Sequence, residues 1–275
     1  MSALEDVLTR IEEWPAENTA AAVVAADGTV LASHGDLKQP YRLASVTKPL
    51  TAYAALIAVE EGVFDLDDPA GPEGSTVRHL LAHASGLDFS EDKVRAAPGA
   101  RRIYSNRGFD VLADTLAARA EIPFATYLSE AVFAPLGMAD SRLDGSAGAG
   151  AVASVADLSR FAAELQRPTL LAEQTLAEAT TVVFPGLDGV LPGYGTQRPN
   201  DWGLGFELRD GKSPHWTGSS NSAATFGHFG QSGTFLWVDP QAGVACVAVA
   251  DRDFGPWAVE AWPPFSDAVL AALHG

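Results

Sequence analysis

The sequence predicts an α+β fold: an antiparallel sheet, flanked by terminal helices, drawn from the two ends of the chain, with a mostly helical lobe from its middle. That expectation rests on three features. Strand-like apolar runs gather near residues 20–32 and again beyond residue 200, while helical spacing dominates between them. Asp27-Gly28 separates the first two runs, a tight-hairpin signal and hence a sign of antiparallel pairing. Apolar residues make up 47% of the 275 and charged residues 19%, enough to bury a sizeable core and too apolar for disorder. One unit spanning 1–275 is expected, with a sheet subdomain at about 1–44 and 200–275 and a helical subdomain at about 45–199.

The elements follow in order. Leu4, Val7, Leu8, Ile11 and Trp14 have helical spacing over residues 2–14, which stops at Pro15. Two strands follow across the Asp27-Gly28 turn. Residues 45–61 read as a helix apolar on most faces, the mark of a central, buried element, ending at Gly62. Further helices are expected near 75–84, 107–120, 123–134, 155–166 and 170–179, the fourth opened by a capping box at Ser154 to Asp157. Gly145 to Gly150 (GSAGAG) reads as a linker without function. Strand character returns near 203–209, 226–238 and 243–250, the last two joined by an Asp-Pro-Gln-Ala-Gly turn. A helix over about 257–273 closes the chain.

Several function classes fall away. The chain has 18 Lys+Arg against 35 Asp+Glu, a formal net charge of −17. That charge repels phosphate backbones and anionic lipid, so no nucleic acid and no membrane is expected as partner. Cys246 is the single cysteine, so neither an intramolecular disulfide nor a cysteine metal cluster can form. Glu5, Asp6, Glu12 and Glu13 stand where a signal peptide would be uncharged, so a cytoplasmic location is expected unless a leader has been removed. His79 and His83 have the i, i+4 spacing of a helical metal pair. Leu80, however, stands where a zinc protease has glutamate, and no third ligand presents itself, so both are read as structural. No metal and no cofactor is expected.

The chemistry begins at Ser45-Val46-Thr47-Lys48. At i, i+3 on a helix the two side chains share a face, and a neutral lysine amine can take a serine proton. Burial at the start of an apolar helix favours that neutral form. Pro49 belongs in a helix's first turn, which puts Ser45 at the positive end of the helix dipole, where an oxyanion is stabilised. By itself the spacing also fits an N-cap serine beside a surface lysine, and Ser90 to Lys93 repeats it in a charged loop. Tyr104-Ser105-Asn106 enters the next helix and offers an acid or base together with an amide, or simply a packed aromatic and an N-cap. In His228-Phe229-Gly230-Gln231, a glycine within a strand pattern marks close backbone approach, to a ligand or to another segment. Trp202, Trp216 and Trp237 read as core or rim packing.

In chain order these three motifs resemble those of the serine β-lactamase and penicillin-binding-protein superfamily, nearest to its class C-like serine hydrolases. That group includes DD-peptidases and β-lactamase-fold esterases. His79 to Leu87 and Ser154 to Leu158 are similar to further recurring segments, and the likeness runs from about residue 15 to the end. The resemblance implies a β-lactamase/transpeptidase-like fold and a role for each motif residue. Ser45 would be acylated, Lys48 would help deprotonate it, and Tyr104 would carry a proton to the leaving group and later activate water. Asn106 would orient the substrate, His228 and Gly230 would line its site, and the N–H groups of Ser45 and Gln231 would form the oxyanion hole. Most β-lactamases have lysine where His228 stands. Histidine is largely neutral at pH 7, so a fixed anchor for a substrate carboxylate is missing. The expected function is therefore esterase-like hydrolysis of a small ester, amide or lactam through a Ser45 acyl-enzyme. The alternatives are a β-lactamase or D-amino-acid peptidase, and a non-catalytic penicillin-binding module.

Overall fold

The computed structural model describes residues 2–273. In chain order the elements are helix α1 (Ala3–Leu8), strands β1 (Thr19–Ala25), β2 (Val30–Gly35) and β3 (Pro40–Arg42), and a 3-10 turn at Ala44–Val46 leading into α2 (Thr47–Glu60). Then come α3 (Val77–Leu81), α4 (Asn106–Ala120), α5 (Phe124–Leu128), β4 (Arg142–Leu143), β5 (Ala151–Ser154), α6 (Val155–Gln166) and α7 (Glu173–Ala179). The chain ends with β6 (Gly189–Leu191), β7 (Gly195–Gln197), β8 (Glu207–Leu208), β9 (Phe226–Gly230), β10 (Thr234–Asp239), β11 (Val244–Ala250) and α8 (Pro256–Ala272).

The fold is α+β, with an antiparallel six-stranded sheet in the order β2-β1-β11-β10-β9-β8. Its strands come from both ends of the chain, and side-chain alternation assigns each face. Ala20 and Ala22 of β1, Leu236 and Val238 of β10, and Val247 and Val249 of β11 point into the core shared with α2 and α6. Ala21, Val23, Phe235, Trp237, Cys246 and Ala248 point the other way, against Leu8 and Ile11 at the N-terminus and Trp262, Phe265 and Val269 of α8. Burial on both faces is why these strands read as continuous apolar runs. Helix α2 is buried from Thr47 to Ala58, the consequence of its apolar surface all round. No helix is long and apolar enough to cross a membrane among the described residues.

Several boundaries differ from expectation. Residues 226–238 form two strands, because the chain turns back at 231–233: Gly233 has φ +82° and its N–H donates to the Gly230 carbonyl at 3.1 Å. The first helix is α-helical only to Leu8 and continues as a 3-10 turn, Thr9–Glu13. The strand expected at 203–209 shrinks to Glu207–Leu208, and the helix at 75–84 to Val77–Leu81. At α6, Ser154 caps the Asp157 N–H, but the Asp157 carboxylate turns to the Asp140 N–H, Ser141 and Arg160 and does not close the box. A complete box sits at Ser2 and Glu5. Helix α8 accommodates Pro263 and Pro264 internally.

Candidate active site

The site lies where α2 begins, facing the end of β9. Ala44 adopts a left-handed φ of +44°, so the chain leaves β3 sharply and presents Ser45 at the mouth of the 3-10 turn. The turn after β9 is fastened to this segment. Thr234 Oγ1 donates to the Leu43 carbonyl at 2.9 Å and Ser232 Oγ to the Arg42 carbonyl at 2.5 Å. Gly230 is required by that closeness, because a Cβ there would collide with the Leu43 carbonyl and Thr234 Oγ1. Gly230→Ala is expected to cost about 1–3 kcal/mol, because neither the backbone nor the fastening hydroxyl can yield. Urea unfolding checks this, and an unchanged midpoint would show that β9 has room to move away.

Lys48 is fully buried one turn along from Ser45. Its Nζ lies 3.2 Å from Ser45 Oγ, 2.5 Å from Asn106 Oδ1 and 2.8 Å from the Gly148 carbonyl. Burial pushes its pKa well below the usual lysine range, against the opposing pull of Asp110. In the neutral amine that burial favours, two N–H groups serve Asn106 and Gly148, which leaves the lone pair for the Ser45 hydroxyl proton.

Tyr104 stands over this lysine, with its ring centroid 4.6 Å from Nζ. Burial raises its phenol pKa, so the hydroxyl keeps its proton at neutral pH. His228 is 3% exposed and faces it, Tyr104 Oη to Nε2 being 3.4 Å. His228 Nδ1 lies 2.6 Å from the Phe229 carbonyl and donates to it, which leaves Nε2 as an acceptor. Burial pushes the His228 pKa down to about 3, so the ring is neutral. Asn106, with Oδ1 turned to Lys48, has its amide N–H groups left for the cleft.

The cleft above Ser45 has a volume of about 160 Å³ and is mostly apolar, walled by Phe89, Leu191, Pro192, Trp202 and Phe229. Gln231 lines it beside Ser45. Glu207 is the one carboxylate on its wall, and it is already engaged by Lys212, by His215 Nε2 at 2.8 Å and by Trp216 Nε1 at 2.8 Å. Burial opposes ionisation there, but those two bases outweigh it and hold the Glu207 pKa down to about 2. No lysine or arginine lines the cleft among the described residues. A larger polar hollow of about 510 Å³ adjoins it, sharing Ala44, Ala149 and Gln231 and adding Arg42, Asp251 and Asp253.

The structure thus brings Ser45, Lys48, Tyr104, Asn106, His228, Gly230 and Gln231 together, while Ser90 and Lys93 lie in an exposed loop. Reading GSAGAG as an idle linker is corrected. Its Gly148 carbonyl receives Lys48, its Ala147 carbonyl receives Thr51 Oγ1 at 2.7 Å, and Ala149 walls the cleft. The available signal was glycine itself: a Cβ at Gly148 would press within 3.2–3.3 Å of Asn106. Trp202 also lines the cleft, whereas Trp216 and Trp237 pack in the core beyond the sheet. His79 and His83 share no helix face, because His83 lies past the end of α3 at φ +54°. His79 bonds Thr76 and stacks on Phe184, and no cluster suited to a metal ion occurs among the described residues.

A family model described as Beta-lactamase matches residues 9–270. Over 172 residues the chain is 28% identical to the D-alanyl-D-alanine-carboxypeptidase/endopeptidase AmpH of Escherichia coli strain K12, covering 45% of each protein. Penicillin-binding protein 4* of Bacillus subtilis strain 168 is 26% identical over 136 residues, 38% of this chain and 30% of that protein. The matches therefore span less than half the length of these curated relatives. Among solved structures, a beta-lactamase from Mycobacterium bovis is 60% identical, with a TM-score of 0.96 over 97% of this chain and 99% of that one. The hydrolase EstCE1, described as having promiscuous acyltransferase activity, shares the fold at 19% identity, with a TM-score of 0.77 over 99% and 98% of the two chains.

Proposed function

The chain belongs to the beta-lactamase family of serine hydrolases, and from that premise we propose that it hydrolyses uncharged carboxylic esters through an acyl-enzyme on Ser45. The observation that carries this reading is the fully buried Lys48 amine, its Nζ 3.2 Å from Ser45 Oγ and held in place by Asn106 Oδ1 and the Gly148 carbonyl. Lys48 takes the serine proton as Oγ attacks the ester carbonyl. The N–H groups of Ser45 and Gln231 meet the developing oxyanion, and Asn106 donates to the acyl side of the substrate. Tyr104 gives its proton to the departing alkoxide, which leaves as the alcohol, and recovers one from the Lys48 ammonium below it. Water then attacks the acyl-serine as the Tyr104–Lys48 pair takes its proton, and the pair returns that proton to Ser45 Oγ as the acyl–oxygen bond breaks and the acid is released.

The two hollows divide the substrate. Tyr104 and His228 line only the apolar cleft, so the leaving alcohol belongs there and the acyl group extends past Gln231 into the polar hollow. A carboxylate on the alcohol side would be buried against neutral His228 with no free cation. Uncharged alkyl esters should therefore exceed matched carboxylate-bearing esters in kcat/KM by at least about 10-fold. Steady-state kinetics on such a pair test this, and equal values would remove the preference. A second reading, β-lactam hydrolysis, is supported by the description of the Mycobacterium bovis relative. Turnover of a chromogenic cephalosporin at a kcat/KM matching the best ester would favour it over esterase activity.

A further inference from the structure

His83 takes no part in the proton transfers above, yet it holds the residue that does. It is 1% exposed. Its carbonyl accepts the Ile103 N–H at 2.9 Å and its Nδ1 accepts the Ser105 N–H at 3.1 Å. Those are the backbone donors on either side of Tyr104. The imidazole also packs on the Tyr104 ring, with centroids 4.6 Å apart, and is backed by Trp202 at 4.7 Å and Phe109 at 5.2 Å. The left-handed backbone at His83, φ +54°, lets carbonyl and side chain of one residue reach the same strand of chain. Arg102 steadies the approach, its guanidinium donating to the carbonyls of Ala82, Val183, Phe184 and Asn200.

We propose that His83 is the positioning residue for Tyr104, bracketing its backbone and supporting its ring so that the phenol reaches the leaving-group oxygen. This rests on the reading of Tyr104 as the proton donor to that oxygen. The role requires a lone pair on Nδ1, hence the neutral ring with its proton on Nε2. Burial, helped by the Arg102 guanidinium, holds His83 well below the usual histidine range and keeps it in that form. Nε2 is buried without a hydrogen-bond partner, so Nδ1 is the working atom. A phenylalanine would keep the stacking but orphan the Ser105 N–H. An asparagine would return an acceptor and tolerate the left-handed backbone.

The test uses leaving-group chemistry. An ethyl ester must be protonated as it departs, whereas p-nitrophenolate leaves as a stable anion. Values of kcat/KM for both esters of one acid are compared in wild type, Tyr104→Phe, His83→Phe and His83→Asn. Tyr104→Phe should lose about 100-fold or more on the ethyl ester and far less on the nitrophenyl ester. His83→Phe should repeat that pattern, losing at least about 10-fold on the ethyl ester with KM little changed, and His83→Asn should recover most of the loss. Labelling of Ser45 by a fluorophosphonate, whose fluoride leaves unaided, reports that each variant is folded. If His83→Phe does not label, His83→Asn decides alone: a wild-type ratio between the esters supports the bracket, and an equal loss on both overturns it. Equal loss on both esters in a labelling His83→Phe, or no loss, overturns the proposal while leaving Tyr104 as donor. Absence of leaving-group dependence in Tyr104→Phe overturns both together.

Discussion

Ser45→Ala is expected to lower kcat/KM for a short activated ester by between about 10³ and 10⁶-fold. In the proposed mechanism Ser45 Oγ is the nucleophile: Lys48 Nζ lies 3.2 Å from it, and Tyr104 and Gln231 line the same cleft. Alanine removes the oxygen and leaves the backbone N–H, so substrate can still bind while no covalent intermediate forms. Because Ser45 is half-buried at the cleft mouth, the substitution opens little space and the fold should persist. Stopped kinetics with an intact unfolding transition is the expected pair of results. Wild-type turnover would show that the hydrolytic nucleophile lies elsewhere.

Lys48→Met should be nearly as damaging, lowering kcat/KM by about 10²–10⁴-fold through loss of the base. It also carries a sharper signature in stability. Lys48 has a lowered pKa in the folded protein and an ordinary one, about 10.4, when unfolded. Between those two values the unfolded state binds one more proton, so folding becomes more favourable as pH rises. The stabilisation is fully present above the unfolded value and is lost as pH falls towards the folded one. Relative to Lys48→Met, which cannot titrate there, wild type should gain about 1.4 kcal/mol per pH unit across that window. Urea unfolding of both proteins at pH 7.5, 8.5 and 9.5 measures it, because the other groups cancel in the difference. Parallel profiles would mean that Lys48 stays charged in the folded protein, and Ser45 would then need another base.

What could be read from the sequence was what side-chain identity and spacing encode. Ser45 and Lys48 announce themselves at i, i+3 before an apolar helix, and the two-ended sheet follows from the Asp27-Gly28 hairpin and the runs near residues 226 and 243. Contributions made by backbone were out of reach. The Gly148 carbonyl that engages Lys48 has no side chain to signal it, and it sits in a segment whose composition reads as a linker. His83 was legible as structural, but its bracket depends on a left-handed φ that no spacing rule foretells. The small sheet β3-β5-β4 has strands of two to four residues, too short to show alternation. The break at 231–233 was hidden because β9 and β10 are buried on both faces, so neither strand alternates in polarity.

The most direct measurement is intact mass after rapid acid quench during turnover of a slowly released ester, followed by peptide mapping. The expected result is a mass gain equal to the acyl group, located on the peptide carrying Ser45 and absent from Ser45→Ala. An acyl group mapped to another residue, or sustained turnover with no adduct at any quench time, would contradict a Ser45 acyl-enzyme.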